Sequence, residues 1–325
     1  MKQITRFPGC SGWMATLWIL GVGLVGCDSI TPGTAGPDRT AGADGKPAVV
    51  ATNTLIADWV ARVGGDQIEL TSILPPGTDP HVYEPVPADS IAFERADLIL
   101  YNGYNLEPGL MRLLNAAGVK ARRVAVGEVV PPLALQQGGR TVPDPHVWGD
   151  ASNVIPMVEA IRDQLIELAP EQQELFTTNT EAYREDLNQL HQWIGAQTAT
   201  IPAHQRQLVT THDAFQYYAQ AYGLTVVGTL IGLSTEEQPS ARTVQQLVAS
   251  IRALGVPTIF AETTINPQLI TTVAAEAGVK LAPTLLYSDS IGSPGSEGDS
   301  YLKMMESNTR SIVEGLGGSV TPLAP

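Results

Sequence analysis

The tripeptide Asp-Pro-His occurs twice in this chain, in TDPHVYEP at residues 78–85 and in PDPHVWGD at residues 143–150, and it puts His81 and His146 in one unusual setting. The whole chain has five histidines, so the repetition calls for a chemical reason. Pro80 and Pro145 fix the backbone ahead of each imidazole. Asp79 and Asp144 can order a turn or accept a proton from the second ring nitrogen. A third imidazole, His212, directly follows the apolar run at residues 208–211, and a carboxylate, Asp289, follows another at 284–287. Three imidazoles and one carboxylate form an N₃O donor set that suits a divalent first-row metal. Any one of these histidines alone would be an ordinary surface or core residue. That reading is kept for His191, on a polar stretch of a helical pattern, and for His204, in the turn PAHQRQ.

Such donors need elements that bring distant loops together. VVATNTLIADWVARVGG predicts a strand and then a helix with Leu55, Trp59 and Val63 on one face, and the run IELTSIL predicts the next strand. A helix over about 88–96, the strand DLILYNG and the stretch RRVAVG continue the rhythm, which implies parallel sheet built from βα units. The middle of the chain differs. Val154, Met157, Val158, Ile161, Leu165 and Leu168 fall on one helical stripe. Pro170 then opens a second pattern, with Leu175, Phe176, Tyr183, Leu187, Leu190 and Ile194 on one face and Asn179 its polar interruption, lasting to residue 201. Thirty residues of helix span about 45 Å, enough to run along both halves of a bilobed protein. From Gln207 the βα rhythm resumes, and Asn53 of the first βα unit aligns with His212 of the later one. VPTIFAE and KLAPTLLYSD predict further strands. A last helix turns Tyr301, Met304, Met305, Ile312 and Leu316 inwards, its methionines as core filler.

The expected fold is therefore α/β: two similar lobes with parallel sheets, joined by one long rigid helix, with the metal site in the cleft between them. Ligands in open α/β sheets sit beyond the carboxyl ends of the strands, where the loops carrying His81, His146, His212 and Asp289 would meet. The expected limits are 48–169 for the N-terminal lobe, 170–201 for the helix and 202–325 for the C-terminal lobe.

Hydrophobic residues at 43% and charged residues at 16% describe a packed globular body and exclude disorder for most of the chain. A formal charge of −14, from 19 Lys+Arg against 33 Asp+Glu, excludes a nucleic-acid partner, whose phosphates need a basic face. At the N-terminus, Lys2 and Arg6 precede the apolar run WMATLWILGVGLVG, too short for a comfortable membrane span, so residues 1–26 read as a secretory signal. Leu24-Val25-Gly26-Cys27 resembles a bacterial lipobox, which makes Cys27 the lipidated first residue of the mature chain. Cys10 leaves with the signal, so no internal disulfide is possible. Residues 27–47, rich in Gly, Pro, Thr and Asp, form a flexible tether that holds the body near the bilayer.

With these residues in view, the chain resembles a known family, the cluster A-I metal-binding solute-binding proteins of bacterial ABC importers for zinc or manganese. The resemblance runs through the whole body from about Val49. It is carried by GTDPHVYEPVPADSIAFERADLILYNGYNLE, PDPHVWGDASN, LVTTHDAFQYYAQAYGL and LYSDSIGSPGSEGDSYLKMMESN. It implies His81 and His146 as ligands from the N-terminal lobe and His212 and Asp289 as ligands from the C-terminal lobe. It also implies Zn²⁺ or Mn²⁺ as transported cargo, a membrane permease as partner, and a monomer on the extracytoplasmic side, lipid-anchored at Cys27. Manganese-selective relatives commonly carry glutamate where this chain has His212. Zinc-dedicated relatives often carry a His- and Asp-rich loop, absent here, and GDSYLKMMESN resembles the manganese branch. The donor chemistry favours zinc, since three neutral imidazoles suit a tetrahedral, borderline-soft ion and the Irving–Williams order places Zn²⁺ above Mn²⁺. Those imidazoles must be neutral to coordinate, so zinc binding is expected to release more protons near pH 6 than near pH 8.

Two other readings fit some of the residues. A zinc hydrolase would need an open coordination position and a base such as Glu262 or Asp213, whereas four protein ligands close the site and Glu262 reads more simply as a group supporting a ligand or the lobe interface. A surface adhesin fits a lipoprotein but names no chemistry, and metal uptake in a deletion strain would separate it from a transporter component.

Overall fold

In a computed structural model, residues 45–116, 119–137 and 139–323 are described. The expected signal peptide, the lipidation site Cys27 and the tether as far as residue 44 lie outside them. Among the described residues no helix is long and apolar enough to cross a membrane.

Four parallel strands open the fold: β1 (Ala48–Ala51), β2 (Glu69–Ser72), β3 (Leu98–Tyr101) and β4 (Arg122–Ala125), in the order β2-β1-β3-β4. Between them run α1 (Thr54–Gly64), α2 (Pro87–Arg95) and α3 (Pro108–Ala116). The central strands β1 and β3 bury both faces, which is why they read as continuous Val, Ile and Leu. Helix α1 starts because the Asn53 side chain accepts from the Ile56 N–H, 3.0 Å away, and it ends at Gly65, whose φ of +54° suits glycine.

An antiparallel hairpin, β5 (Ala134–Gln137) and β6 (Arg140–Pro143), follows, with Gly139 at φ +77° in its turn. Helices α4 (Ala151–Leu168) and α5 (Gln173–Thr198) come next. The 26 residues of α5 span about 39 Å, somewhat short of the expected length because a 3₁₀ turn, Pro170–Gln172, precedes it. Phe176, Thr180, Tyr183, Leu187, Leu190 and Ile194 form its buried stripe. Leu175, expected on that face, is 37% exposed, because it lies one position off the stripe. Asn179 interrupts the stripe to donate to the Val63 carbonyl, 3.0 Å away.

The second half holds β7 (Gln207–Thr210), α6 (Gln216–Tyr222), β8 (Thr225–Thr229), α7 (Ala241–Leu254), β9 (Thr258–Ile259), α8 (Gln268–Ala277), β10 (Lys280–Leu281) and α9 (Tyr301–Gly315). Pairs β7–β8 and β9–β10 are parallel, and the Phe260 N–H donates to the Val209 carbonyl at 3.0 Å, so β9 lies beside β7. The order β8-β7-β9-β10 repeats that of the first sheet, which supports the expected likeness of the two halves. The strand expected over 284–287 does not form. Pro283 has no N–H to donate, only Leu286 bridges to Glu262, and Asn308 of α9 takes over both backbone groups of Tyr287. The largest apolar cluster runs from the first sheet through α1, α4 and α5 to α9, with Tyr301, Met304, Met305, Ile312 and Leu316 all buried in it. Smaller clusters cover the far face of each sheet. A core side chain of this size contributes about 1.5–3 kcal/mol on burial.

Candidate metal centre

Each of the four expected donors is fixed by its own local arrangement. In the turn after β2, Asp79 Oδ1 accepts from the His81 backbone N–H at 2.9 Å, while its Oδ2 accepts from the Thr235 hydroxyl at 2.6 Å. The second Asp-Pro-His does more. Asp144 Oδ1 accepts from the His146 N–H at 3.0 Å and also from ring Nδ1 at 2.7 Å, which turns Nε2 towards the other donors. The Asn102 amide donates to the Pro145 carbonyl at 2.9 Å. His212 leaves the end of β7. Glu262 Oε1 accepts from its N–H at 2.8 Å and Glu262 Oε2 pairs with its Nδ1. Asp289 lies two residues beyond Tyr287, which Asn308 holds. It is flanked by the Ser288 carbonyl, which accepts from Trp148 Nε1 at 2.9 Å, and by the Ser290 hydroxyl, which accepts from the Gly77 N–H at 2.8 Å and meets the Thr54 hydroxyl at 3.0 Å.

These arrangements bring four buried donors to one point, with all ligand atoms within 4.8 Å of one another. His81 Nε2 and His146 Nε2 are 3.2 Å apart. Asp289 Oδ1 lies 3.4 Å from His146 Nε2, and its Oδ2 lies 3.2 Å from His212 Nε2 and 3.9 Å from His81 Nε2. Despite this closeness, His212 Nε2 and both Asp289 oxygens make no directed hydrogen bond. Facing lone pairs at such distances repel unless protons or a cation lie among them, so the set fits a cation. Tetrahedral bonds of 2.0–2.1 Å place donors about 3.3 Å apart, within the observed range. The two oxygens of Asp289 face different imidazoles, giving five donor atoms from four residues.

The electrostatics separate the three imidazoles. Burial lowers the His81 pKa to about 3, with His146 and His212 adding to the effect against Asp289. Burial disfavours the His146 cation too, but Asp144 and Asp289 more than offset it and raise its pKa to about 9. For His212, Glu262 and Asp289 likewise overcome burial and hold the pKa well above the ordinary value. Burial would raise the Asp289 pKa, but His212 and His146 hold it well below the usual carboxylate range. The ring that must shed no proton is thus His81. For the other two, neighbouring carboxylates favour the protonated ring, so metal binding has to displace a proton held more firmly there than on an ordinary imidazole.

Asp79 and Asp144 divide the two roles expected of them: Asp79 orders a turn, and Asp144 orders both turn and ring. Glu262 is the supporting group for His212 that its place after a strand suggested. Asp213 instead accepts from Gln216 Nε2 at 2.7 Å. His191 and His204 lie away from the four. His204 is exposed, whereas His191 is not merely solvated, with Asp150 and the Tyr222 hydroxyl each 3.2 Å from its Nδ1. Sequence reasoning missed Glu107. Its Oε1 accepts from the Thr52 hydroxyl and the Asn53 amide, both at 2.8 Å, and from the Asn102 N–H at 3.3 Å, while burial raises its pKa. It stands to Asn53 as Glu262 stands to His212, and the alignment of those two residues was the one available signal.

Comparison with known proteins gives the family of the chain. The profile of the family described as "Zinc-uptake complex component A periplasmic" matches residues 49–315. The chain belongs to this family. The manganese-binding lipoprotein MntA of Halalkalibacterium halodurans is 36% identical over 289 residues, covering 88% of this chain and 94% of that one. The manganese ABC transporter substrate-binding lipoprotein PsaA of Streptococcus pneumoniae is 34% identical over 312 residues, covering 94% and 98%. Among solved structures, the periplasmic zinc-binding protein TroA of Treponema pallidum superposes with a TM-score of 0.80 at 34% identity, covering 84% of this chain and 99% of that one. Members of the family named for zinc and for manganese thus share this two-lobed α/β fold with the present chain.

Proposed function

We propose that this protein captures a divalent transition metal outside the cytoplasm, with His81, His146, His212 and Asp289 as its ligands, and delivers it to an ABC permease. The observation that carries this reading is the convergence of four buried donors within 4.8 Å, two of whose residues keep ligand atoms without a directed hydrogen bond. Zn²⁺ binds more tightly than Mn²⁺ at three imidazoles and a carboxylate, and the paired oxygens of Asp289 give Mn²⁺ the further donor that its higher coordination number favours. Availability outside the cell then decides the cargo. Lobes 48–169 and 202–325 hold the ion between them as a monomer, and lipid on Cys27 keeps the protein at the membrane.

A hydrolase is disfavoured because the residues that would serve as base are engaged. Both Glu262 oxygens hold His212, and Asp213 is bonded to Gln216. The test is metal analysis of protein purified without added metal, followed by calorimetric titration of alanine variants. Alanine at His81, His146, His212 or Asp289 is expected to weaken binding at least tenfold, as loss of one ligand from such a set should, while His191→Ala and His204→Ala leave it unchanged. Equal losses at His191 and His81 would refute the ligand assignment.

A further inference from the structure

A groove of about 430 Å³ opens beside the four donors, and of these only His81 lines it. Its walls include Tyr104, Asn105 and Glu128 on one side, Val142 of β6, and Ser234 opposite. Tyr104 and Asn105 are the only non-glycine residues with left-handed backbone among the described residues, at φ +50° and +60°. Such strain persists where surrounding contacts impose it, and it concentrates at working sites. Here the contacts are explicit. The Tyr104 N–H donates to Glu128 Oε1 at 3.2 Å and its hydroxyl donates to the Val130 carbonyl at 2.7 Å, so this lip is held rigid. The Ser234 wall is tied to the His81 turn, because the hydroxyl of the adjacent Thr235 donates to Asp79 at 2.6 Å.

The three imidazole rings also differ. Asp144 clamps the Nδ1 of His146 and Glu262 clamps that of His212, whereas among the described residues nothing accepts from the Nδ1 of His81. His81 is therefore the one imidazole of the three with no carboxylate on its Nδ1, and its Nε2 meets His146 Nε2 at 3.2 Å. An ion with six waters occupies about 180 Å³ at the liquid share of about 30 Å³ per water, which the groove accommodates and the dry donor cluster does not.

We propose that this groove is the path by which a hydrated divalent cation reaches and leaves the site, with His81 the first protein ligand to replace a water on the way in and the last to let go on the way out. This rests on the metal-binding reading above and adds its route. Glu128, the one carboxylate in the lining, attracts the cation, and the rigid lip keeps the path from collapsing while the ion is absent.

The experiment narrows the groove from two independent walls, with Val142→Trp on β6 and Ser234→Trp in the loop after β8, neither of which touches a donor. Release of Zn²⁺ from loaded protein into a chromogenic chelator gives the dissociation rate. Competition titration gives Kd, and the two together give the capture rate. Both rates are expected to fall about tenfold in each variant, with Kd changed less than about twofold, since a narrowed path raises the barrier without altering either end state. Native rates in either variant that folds with unchanged Kd, or faster release, would overturn the route. Failure of the native protein to bind Zn²⁺ or Mn²⁺ would instead sink the metal-binding reading, and it is seen in Kd before any rate is measured.

Discussion

Asp144 is the group whose removal reports most directly on how this site works. Its Oδ1 accepts from both the backbone N–H and Nδ1 of His146. With Asp289 it raises that imidazole to a pKa of about 9 against the opposing effect of burial. In the metal-free protein near neutrality, His146 carries a proton that the incoming ion must displace, while His81 carries none. From His146 alone, the logarithm of the binding constant therefore rises by about one per pH unit between about pH 6 and pH 8. For His146 alone, the gap of about two units at pH 7 means about a hundredfold handicap, near 2.7 kcal/mol. Asp144→Asn removes the charge and lowers this pKa, which removes most of the handicap. It also weakens the orientation and basicity of the ring, an effect of about 10- to 100-fold. The two changes nearly cancel at pH 7, and well above about pH 9 only the loss remains. Expected outcomes are a slope smaller by about one and an affinity gap to the native protein that widens with pH. Calorimetry in buffers of different ionisation enthalpy counts the protons. An unchanged slope, or a gap that is the same at every pH, would refute the reasoning. The sign for folding follows from the same shift. The His146 pKa is raised above its unfolded value, so its stabilisation of the metal-free fold is full below about pH 6.5 and is lost as pH rises through about 9.

Replacing His212 by glutamate gives two imidazoles and two carboxylates, a harder set, and is expected to narrow the preference for Zn²⁺ over Mn²⁺, mainly by weakening zinc; an unchanged or widened ratio of dissociation constants would show that the shape of the cleft governs the choice. Cys27→Ser is expected to leave the protein unlipidated and to move it from the membrane fraction to the soluble one, as read by fractionation and immunoblot. Trp59→Ala empties a fully buried position that meets Tyr301 edge-on at 5.5 Å, and is expected to cost about 3–5 kcal/mol in denaturant unfolding; a loss under about 1 kcal/mol would contradict the central place of α1 in the core.

The imidazoles were legible because Asp-Pro-His is rare and is repeated, and because the loops after parallel strands are where ligands gather. The long helix was legible from a stripe that keeps helical spacing over seven turns. Other parts left no local trace. The strand expected at 284–287 failed because apolar residues beyond Pro283 found their backbone partners in the Asn308 side chain and not in a neighbouring strand. The hairpin at 134–143 alternates only weakly and is exposed, so hydrophobic period has little to report there. Glu107, Thr235 and Ser290 act through hydrogen bonds to residues far away in the chain, and no pattern within a short window encodes such a partner.

Each of the four proposed ligands is held by groups that do not need the ion. Asp79, Asp144 and Glu262 each bind the backbone N–H of one histidine, and Asn308 fixes Tyr287 in the segment that leads to Asp289. In a zinc finger the free energy of metal binding is the free energy of folding, so losing the ion means losing the structure. In this chain the scaffold and the cargo are separate accounts, and unloading exposes no core. A protein built this way can release its ion, stay folded, and be filled again, so its working life is set by the durability of its fold and not by the number of ions it has carried.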